Sequence, residues 1–283
     1  MPPSNSQLAI PGTIGFIGGG NMARSLIGGL VAKGQRPASV LVAEPDAAAR
    51  ARLAADFGVA VHAGNDAVAM AADLLVLAVK PQVMRPVCEE MTGTRRKDAL
   101  VLSIAAGITA AQIDRWLGGN SAVVRCMPNT PALIGAGASA LFANAACTAA
   151  QRQGAESLMA AAGVCVWIED ESLMDAVTAV SGSGPAYFFH LIEALEAAAR
   201  RQGLPPHAAR LLVLHTALGA ARMAAEGEED AATLRQRVTS PGGTTERALQ
   251  VLADGGFAAL VDAAVAGATE RGRELAARAG AEA

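Results

Sequence analysis

The sequence predicts an α/β Rossmann-type fold, a doubly wound parallel sheet, followed by an all-α helical domain. Short apolar runs alternate with Ala-rich helical stretches over residues 12–168, and this alternation is typical of parallel sheets. A glycine-rich turn joins the first strand to the first helix. After residues 164–168 we find no convincing strand. Apolar residues make up 52% of the 283-residue chain and the net charge is only −3, which excludes intrinsic disorder.

The elements follow from apolar runs, helical spacing and glycine stops. Strands are predicted at 13–17, 40–43, 59–61, 74–79, 100–104, 121–125, 138–142 and 164–168. Helices of the first half are predicted at 21–33, 47–57, 67–71, 83–91 and 110–117. Helices of the second half are predicted at 174–180, 185–201, 206–226, 231–238, 244–254 and 257–279. The change of character near residue 168 predicts a dinucleotide-binding domain over 12–168 and a helical dimerisation and substrate domain over 169–283.

The ends of the chain and its charge exclude several classes of protein. Residues 1–11 are expected to form a disordered leader, and residues 1–7 lack the basic segment of a secretory signal. No run of about 18 apolar residues is present, so no membrane span is expected and the predicted location is cytoplasmic. The sequence shows no basic stripe of the kind that binds nucleic acid, so no nucleic-acid partner is expected. The four cysteines form no CxxC pair, and no ligand cluster predicts a metal site.

The helices of the second half predict self-association. Residues 204–223 carry few charges, and a helix that is apolar nearly all round must be buried. In so small a domain this favours burial against a second subunit, hence an obligate homo-oligomer. A well-covered monomeric bundle is the competing interpretation.

The first turn carries a dinucleotide-binding pattern, G-x-G-x-x-A, over Gly18 to Ala23. Gly18 permits the tight turn, Gly20 lets a pyrophosphate approach the backbone, and Ala23 keeps the helix close to the strand. The strand–turn–helix context makes this pattern specific.

The ends of later strands supply further candidates for the cofactor site. Glu44 follows Gly20 by 24 residues, near the position where an acidic residue binds the ribose 2′-hydroxyl of NAD. Glu44 could equally cap its strand and face solvent, and Arg50 or Arg52 could instead meet a 2′-phosphate. Lys80 could contact a phosphate or ribose, or simply face solvent. The small residues of 103–107 suit the close approach of a nicotinamide.

Three clusters of Gly, Ser, Thr and Pro occur at 127–131, 181–185 and 240–245. The last two precede predicted helices, whose N-terminal N–H groups can bind a carboxylate. The alternative is that these residues only cap the helices that follow, and helix capping explains the presence of one Thr well. It explains the two glycines of 240–245 less well, because glycine is costly unless the backbone must be approached.

With these motifs the chain resembles the pyrroline-5-carboxylate reductases. The matching stretches, in family order from about residue 13 to 275, are 14–23 (IGFIGGGNMA), 78–81 (AVKP), 125–131 (RCMPNTP), 175–187 (DAVTAVSGSGPAY), 238–245 (VTSPGGTT) and 256–261 (GFAALV). The SGSGPAY and SPGGTT motifs are specific to that family, whereas the glycine-rich loop is not.

The resemblance implies hydride transfer from NADPH or NADH to the imine carbon of Δ1-pyrroline-5-carboxylate, which gives L-proline in the last step of proline biosynthesis. It also implies a dimerising helical domain, an active site shared between subunits, and dimers assembled into a decamer. It assigns Thr245 to the substrate ring nitrogen as the catalytic residue. The implied substrate-binding residues are Glu171, Val238, Ser240, Gly242, Gly243, Thr244 and Thr245.

The cofactor site is expected from the motifs and the resemblance together. Family members that prefer NADPH tend to carry Ser or Arg where this chain carries Glu44, so the choice between the two cofactors stays open. The expected residues are Gly18, Gly20, Asn21, Met22, Glu44, Pro45, Asn65, Ala78, Val79, Lys80, Pro81, Ala105, Ala106 and Asn129.

Other functions fit less well. A β-hydroxyacid dehydrogenase shares the two-domain plan, but its chemistry resembles a Lys-dependent proton relay on the helix that follows the Rossmann domain. No Lys follows Lys97 in this chain, which argues against that function. A serine hydrolase would need G-x-S-x-G, which surrounds neither Ser181 nor Ser183. A non-catalytic dinucleotide-binding protein and a reductase of another cyclic imine are the alternatives that remain.

Overall fold

The computed structural model describes residue 10 and residues 12–281. The predicted leader therefore lies outside the described residues except for Ile10, which is buried and hydrogen-bonded to the side-chain amide of Gln35. The chain divides into two compact units. The first comprises the described residues up to Ser183 and from Ala268 onward, and the second comprises Gly184–Gly267.

The first unit contains one eight-stranded sheet in the order β3-β2-β1-β4-β5-β6-β7-β8. Its strands are β1 (Ile14–Ile17), β2 (Val40–Ala43), β3 (Ala60–His62), β4 (Leu74–Leu77), β5 (Leu100–Ser103), β6 (Val123–Met127), β7 (Gly137–Ala143) and β8 (Gly163–Trp167). The first six are mutually parallel, and the chain order reverses between β1 and β4. The predicted fold class is confirmed.

One part of the sheet departs from the predicted parallel arrangement. Strand β7 runs antiparallel to β6, with Val124 opposite Ala143, and β8 is parallel to β7. The reason lies in the connections. Between β6 and β7 the chain makes only a 3-10 turn over Thr130–Ile134, which is too short for a crossover. A full helix separates β7 from β8 and allows the parallel pairing.

The parallel strands other than the edge strand β3 are buried on both faces. Phe16 of β1 packs in one apolar cluster with Leu26, and the next residue, Ile17, packs in a second cluster with Met84. Successive side chains of a strand point to opposite faces, so helices must cover both. This two-sided core fixes the carboxyl ends of β1, β2, β4 and β5 along one edge.

Helices occupy the remaining length of both units. They are α1 (Asn21–Ala32), α2 (Ala47–Phe57), α3 (Asp66–Ala71), α4 (Pro81–Glu90), α5 (Ala110–Trp116), α6 (Ala149–Ala160), α7 (Met174–Val177), α8 (Gly184–Arg201), α9 (Pro206–Glu226), α10 (Ala231–Arg237), α11 (Thr244–Asp254) and α12 (Phe257–Ala281). Helix α6 is not among the predicted elements. The helix predicted at 174–180 is α7 followed by a π-helical turn over Thr178–Gly182, which includes the first two residues of the 181–185 cluster.

The second unit leaves large apolar side chains exposed in a single copy of the chain. Of its described residues, only Gly184 and Ala209 are buried. Phe188, Leu212 and Leu260 are 68%, 55% and 69% exposed. A surface of this kind marks an interaction site. These exposed apolar side chains agree with the prediction that the helices of the second half are buried against a second subunit.

Among the described residues, no single helix has both the length and the apolar character needed to cross a membrane. The pair Thr244–Asp254 and Phe257–Ala277, bent by 51°, passes the same criteria only when the two helices are taken together.

Candidate active site

The glycine-rich loop lies at the point where the strand order reverses. Gly18 has φ +97, and a Cβ there would lie 2.8 Å from the carbonyl oxygen of Ala78 at the end of β4. Gly20 precedes α1 with no side-chain cap, and a Cβ on it would meet no described atom within 4 Å. The first N–H groups of a helix have no partner inside it. The loop therefore offers open space beside free donors, which fits the pyrophosphate of a dinucleotide.

The turn after β2 is tied to that loop by a carboxylate. Glu44 Oε2 accepts a hydrogen bond from the Gly19 N–H at 2.9 Å, and its Oε1 accepts one from the Asp46 N–H at 2.9 Å. Arg50 Nη1 donates to the carbonyl oxygens of Glu44 and Pro45, both at 2.7 Å. Glu44 is half-buried and faces the glycine-rich loop, so it does not simply point into solvent.

The ends of β4 and β5 border a cleft of about 380 Å³. Pro81 and Ala106 contribute to its walls, as do Asp175 and Thr178 and, from the last part of α12, Gly272 and Leu275. Ala105 is buried beside the cleft, and Lys80, exposed, is the residue that precedes α4. The structure thus brings the 78–81 and 105–106 segments together at one end of the sheet.

Two of the expected cofactor residues use their amide groups inside the protein. Asn129 Oδ1 accepts from the Ala138 N–H at 2.9 Å, and its Nδ2 donates to the carbonyl and the hydroxyl of Ser181. Asn129 therefore joins the end of β6 to the start of β7 and to the π-helical turn. Asn65 Nδ2 donates to Glu90 Oε2 at 3.1 Å.

Glu171 also has partners within the first unit. Its Oε1 accepts a hydrogen bond at 2.7 Å from the N–H of Ala110, which is the first residue of α5. The same oxygen lies 3.4 Å from Nη1 of Arg125. The Arg125 side chain is only 5% exposed, so the pair satisfies a buried cation. The sequence reasoning did not assign Arg125 a role. The signal available in the sequence was a single Arg within the otherwise apolar run of β6.

The candidate substrate loop lies in the second unit. Ser240 C=O accepts from the Gly243 N–H at 3.0 Å, and Gly242 has φ +72, so Pro241 and Gly242 occupy the centre of a type II turn. Helix α11 begins directly afterwards, and Gly243 supplies no side-chain cap. Glu246 Oε2 accepts from the Gly242 N–H at 2.8 Å. The N–H groups at the start of α11 remain available to an anion.

Burial disfavours the thiolate form of two cysteines. Burial raises the pKa of the Cys88 thiol to about 12 and that of the Cys165 thiol to about 11. Within the described part of the chain, no group of three or more His, Cys, Asp or Glu side chains could bind a metal ion.

Comparisons with known proteins agree with this arrangement. A family model for pyrroline-5-carboxylate reductase dimerisation matches residues 171–275, and one for an NADP oxidoreductase, coenzyme F420-dependent, matches residues 13–107. The pyrroline-5-carboxylate reductase of Pseudomonas aeruginosa is 50% identical over 263 residues, which cover 93% of this chain and 96% of that protein.

Solved structures give the same result. A pyrroline-5-carboxylate reductase from Coxiella burnetii has 44% identity and a TM-score of 0.90, covering 93% of this chain and 98% of that one. The Plasmodium falciparum pyrroline carboxylate reductase with NADP bound has 26% identity and a TM-score of 0.83, covering 95% of this chain and 99% of that one. With half of its residues identical to one such reductase along nearly its whole length, the chain belongs to the pyrroline-5-carboxylate reductase family.

Proposed function

We propose that this protein reduces Δ1-pyrroline-5-carboxylate to L-proline with NADH or NADPH, the last step of proline biosynthesis. The observation that carries the proposal is a family match along 93% of the chain. Two sets of free backbone donors support it independently. One is the uncapped start of α1 after the glycine-rich loop, and the other is the uncapped start of α11 after the 240–243 turn.

The reaction needs positioning more than it needs an acid or a base. When bound, the reduced nicotinamide supplies a hydride. With the imine nitrogen already protonated, C5 would accept the hydride while the π electrons of the C5=N bond become the nitrogen lone pair, so the secondary amine would form without a further proton. The protein's contribution is then to hold the two carbons in line, which is the entropic term of catalysis.

The substrate end of the site is assigned to the second unit. We assign the substrate carboxylate to the backbone around Ser240, Gly242, Gly243 and Thr244 at the positive end of α11. The N–H groups of Gly242 and Gly243 have internal partners in Glu246 and the Ser240 carbonyl, so the donors offered to the carboxylate are those of the first turn of α11, beginning with Thr244. Thr245, half-buried in the first turn of α11, would direct its hydroxyl to the ring nitrogen. The remaining expected lining residues are Val238, which is 62% exposed in one copy, and Glu171.

The cofactor end is assigned to the first unit. The pyrophosphate would lie on the loop and helix start formed by Gly18, Gly20, Asn21 and Met22. The adenine ribose would lie by Glu44, Pro45 and Asn65. The nicotinamide would be bordered by Asn129 and by the segments that follow β4 and β5. The residues of those segments are Ala78, Val79, Lys80, Pro81, Ala105 and Ala106.

We assign residues 12–168 to dinucleotide binding and residues 169–283 to dimerisation and substrate binding. The dimerisation family model begins at residue 171, close to this boundary, and the chain self-associates through that part. Assembly of dimers into a decamer, with each active site shared between subunits, and a cytoplasmic location complete the proposal. The four free cysteines suit a reducing compartment.

The direct test is turnover. Purified protein is mixed with Δ1-pyrroline-5-carboxylate, and the oxidation of NADH or NADPH is followed by absorbance at matched concentrations, with proline identified as the product. We expect stoichiometric proline formation. Folded, oligomeric protein that oxidises neither cofactor would refute the proposal, and turnover of a different cyclic imine alone would reassign the substrate.

A further inference from the structure

We propose that Glu44 makes the nucleotide site select NADH against NADPH. This inference rests on the proposed function, in which the nucleotide is the hydride donor. The selection itself is a difference in binding affinity and can be measured without substrate. The relatives point the other way, since one family model is that of an NADP oxidoreductase and one solved relative has NADP bound. The inference therefore depends on this chain's own residues at the end of β2.

The first step is the position of the carboxylate. Glu44 directly follows β2, and its N–H donates to the carbonyl of His62 in the neighbouring strand, so its backbone is fixed by the sheet. In dinucleotide-binding folds, the residue at this place reads the 2′ position of the adenine ribose, and an acid there binds the hydroxyl of NAD.

The second step is the orientation of the side chain. Each carboxylate oxygen of Glu44 accepts one backbone N–H at 2.9 Å, one from Gly19 and one from Asp46. These two bonds, one to each oxygen, hold the carboxylate between the glycine-rich loop and its own turn. Each oxygen keeps a second lone pair, which can accept from a ribose hydroxyl. A 2′-phosphate offers no such donor when ionised and brings negative charge against a fixed carboxylate.

The third step is the charge around the turn. The Asp46 carboxylate accepts from the Ala49 N–H at 2.6 Å and caps α2, so its charge is offset by the positive end of that helix and Glu44 is the carboxylate left to face the ribose. Arg50 is the compensating cation, but its Nη1 is directed to two backbone carbonyls of the turn. Arg52 is exposed on α2. Arg50 therefore lowers the penalty for a 2′-phosphate without removing it.

The test is fluorescence titration of the full-length protein with NADH and with NADPH, in the absence of substrate. We expect the wild-type protein to bind NADH about tenfold more tightly or better, a smaller effect than bare like-charge repulsion because Arg50 offsets part of it. Glu44→Gln removes the charge and nearly keeps the side chain's size, but its Nε2 is a donor and can replace only one of the two bonds accepted from Gly19 and Asp46. It should tighten NADPH binding about tenfold and weaken NADH binding by up to about tenfold, so the ratio of the two affinities moves toward NADPH.

Asp46→Asn is the matched control. It removes a carboxylate from the same turn, while Asn caps a helix as well as Asp does. We expect it to leave the NADH-to-NADPH ratio within about twofold of wild type. Equal or tighter NADPH binding by the wild-type protein would overturn the proposal even if Glu44→Gln failed to fold. So would an unchanged ratio in Glu44→Gln, an equal shift in Asp46→Asn, or binding of neither nucleotide.

The outcomes also separate this inference from the proposed function. Turnover that favours NADPH would support the reductase and overturn the role of Glu44. Selective NADH binding without turnover of Δ1-pyrroline-5-carboxylate would do the reverse.

Discussion

Replacing Gly20 by alanine separates nucleotide binding from folding. Gly20 has φ −67 and ψ −176, an extended backbone that any residue adopts. A Cβ there would meet no described atom within 4 Å, so nothing in the folded chain has to move. The added methyl group would nevertheless occupy the space into which we place the pyrophosphate.

The expected effect on folding is close to zero. Ala is a poorer residue than Gly immediately before a helix, by a few tenths to about 1 kcal/mol. The same substitution restricts the unfolded chain and stabilises the native state by about 0.4–1 kcal/mol. The two terms oppose each other, so the free energy of unfolding should change by less than about 0.5 kcal/mol.

The expected effect on binding is large. A hydrogen bond from a backbone N–H to a charged group contributes about 1.5–3 kcal/mol, and the methyl group would deny the phosphate at least one of them. The dissociation constant for NADH should therefore rise about 10- to 150-fold.

Gly18→Ala is the contrasting variant in the same loop. Its φ of +97 is unfavourable for alanine, and its Cβ would lie 2.8 Å from a backbone oxygen that cannot turn aside. The left-handed backbone costs about 1–2 kcal/mol and the overpacking about 1–3 kcal/mol more. We therefore expect this variant to lose stability as well as binding.

Urea unfolding followed by circular dichroism gives the stabilities, and titration with NADH gives the affinities. A Gly20→Ala protein that binds NADH as wild type does would show that the pyrophosphate lies elsewhere. A Gly20→Ala protein as unstable as Gly18→Ala would show that the open space in the structure is filled by the protein itself.

Three further predictions concern catalysis, ionisation and assembly. Thr245→Ala should lower kcat about tenfold while NADH affinity stays within about twofold, and Thr245→Ser should restore the rate; a main loss in NADH affinity would refute the assignment. Because the pKa of Cys88 is raised to about 12 from 9.0, the unfolded thiol ionises first as pH rises from 9 to 12. The free energy of unfolding should then fall by up to about 1.4 kcal/mol per pH unit more in wild type than in Cys88→Ala, as measured by urea unfolding; parallel slopes would contradict this. Leu212→Glu should raise the dissociation constant for self-association at least about a hundredfold in sedimentation experiments, since it buries an unpaired charge in the interface. Met70→Glu, at a position of similar exposure on α3, should leave assembly unchanged, and equal behaviour of the two variants would refute the assignment of α9 to the interface.

Local signals explain how much of the fold the sequence predicts. The bounds of β2 and α2 agree with prediction because Asp46 caps the start of α2 and Gly58, with φ +68, ends it. Helix α6 was missed although Thr148 and Gln151 form a capping box at its start. The direction of β7 was missed as well, because it depends on the length of the preceding connection and not on the composition of the strand.

The same distinction applies to the site. The glycine-rich loop and the 240–243 turn are contiguous in sequence, so their conformations could be anticipated from residue types alone. The contacts of Glu171 with Ala110 and of Asn129 with Ser181 join residues 61 and 52 positions apart. No periodicity or motif encodes such a pairing, and the use of these side chains as internal ties became visible only in the folded chain.

The return of α12 to the first unit sets an order of events during synthesis. Gly272 and Leu275 form part of the wall of the cleft beside β4 and β5, yet they are made after the whole of Gly184–Gly267. At about 5–20 residues per second, the ribosome needs several seconds to translate that intervening stretch. The dinucleotide-binding unit thus begins to fold first and completes its cleft last. A nascent or prematurely terminated chain would lack this wall, so only full-length molecules present the finished cleft.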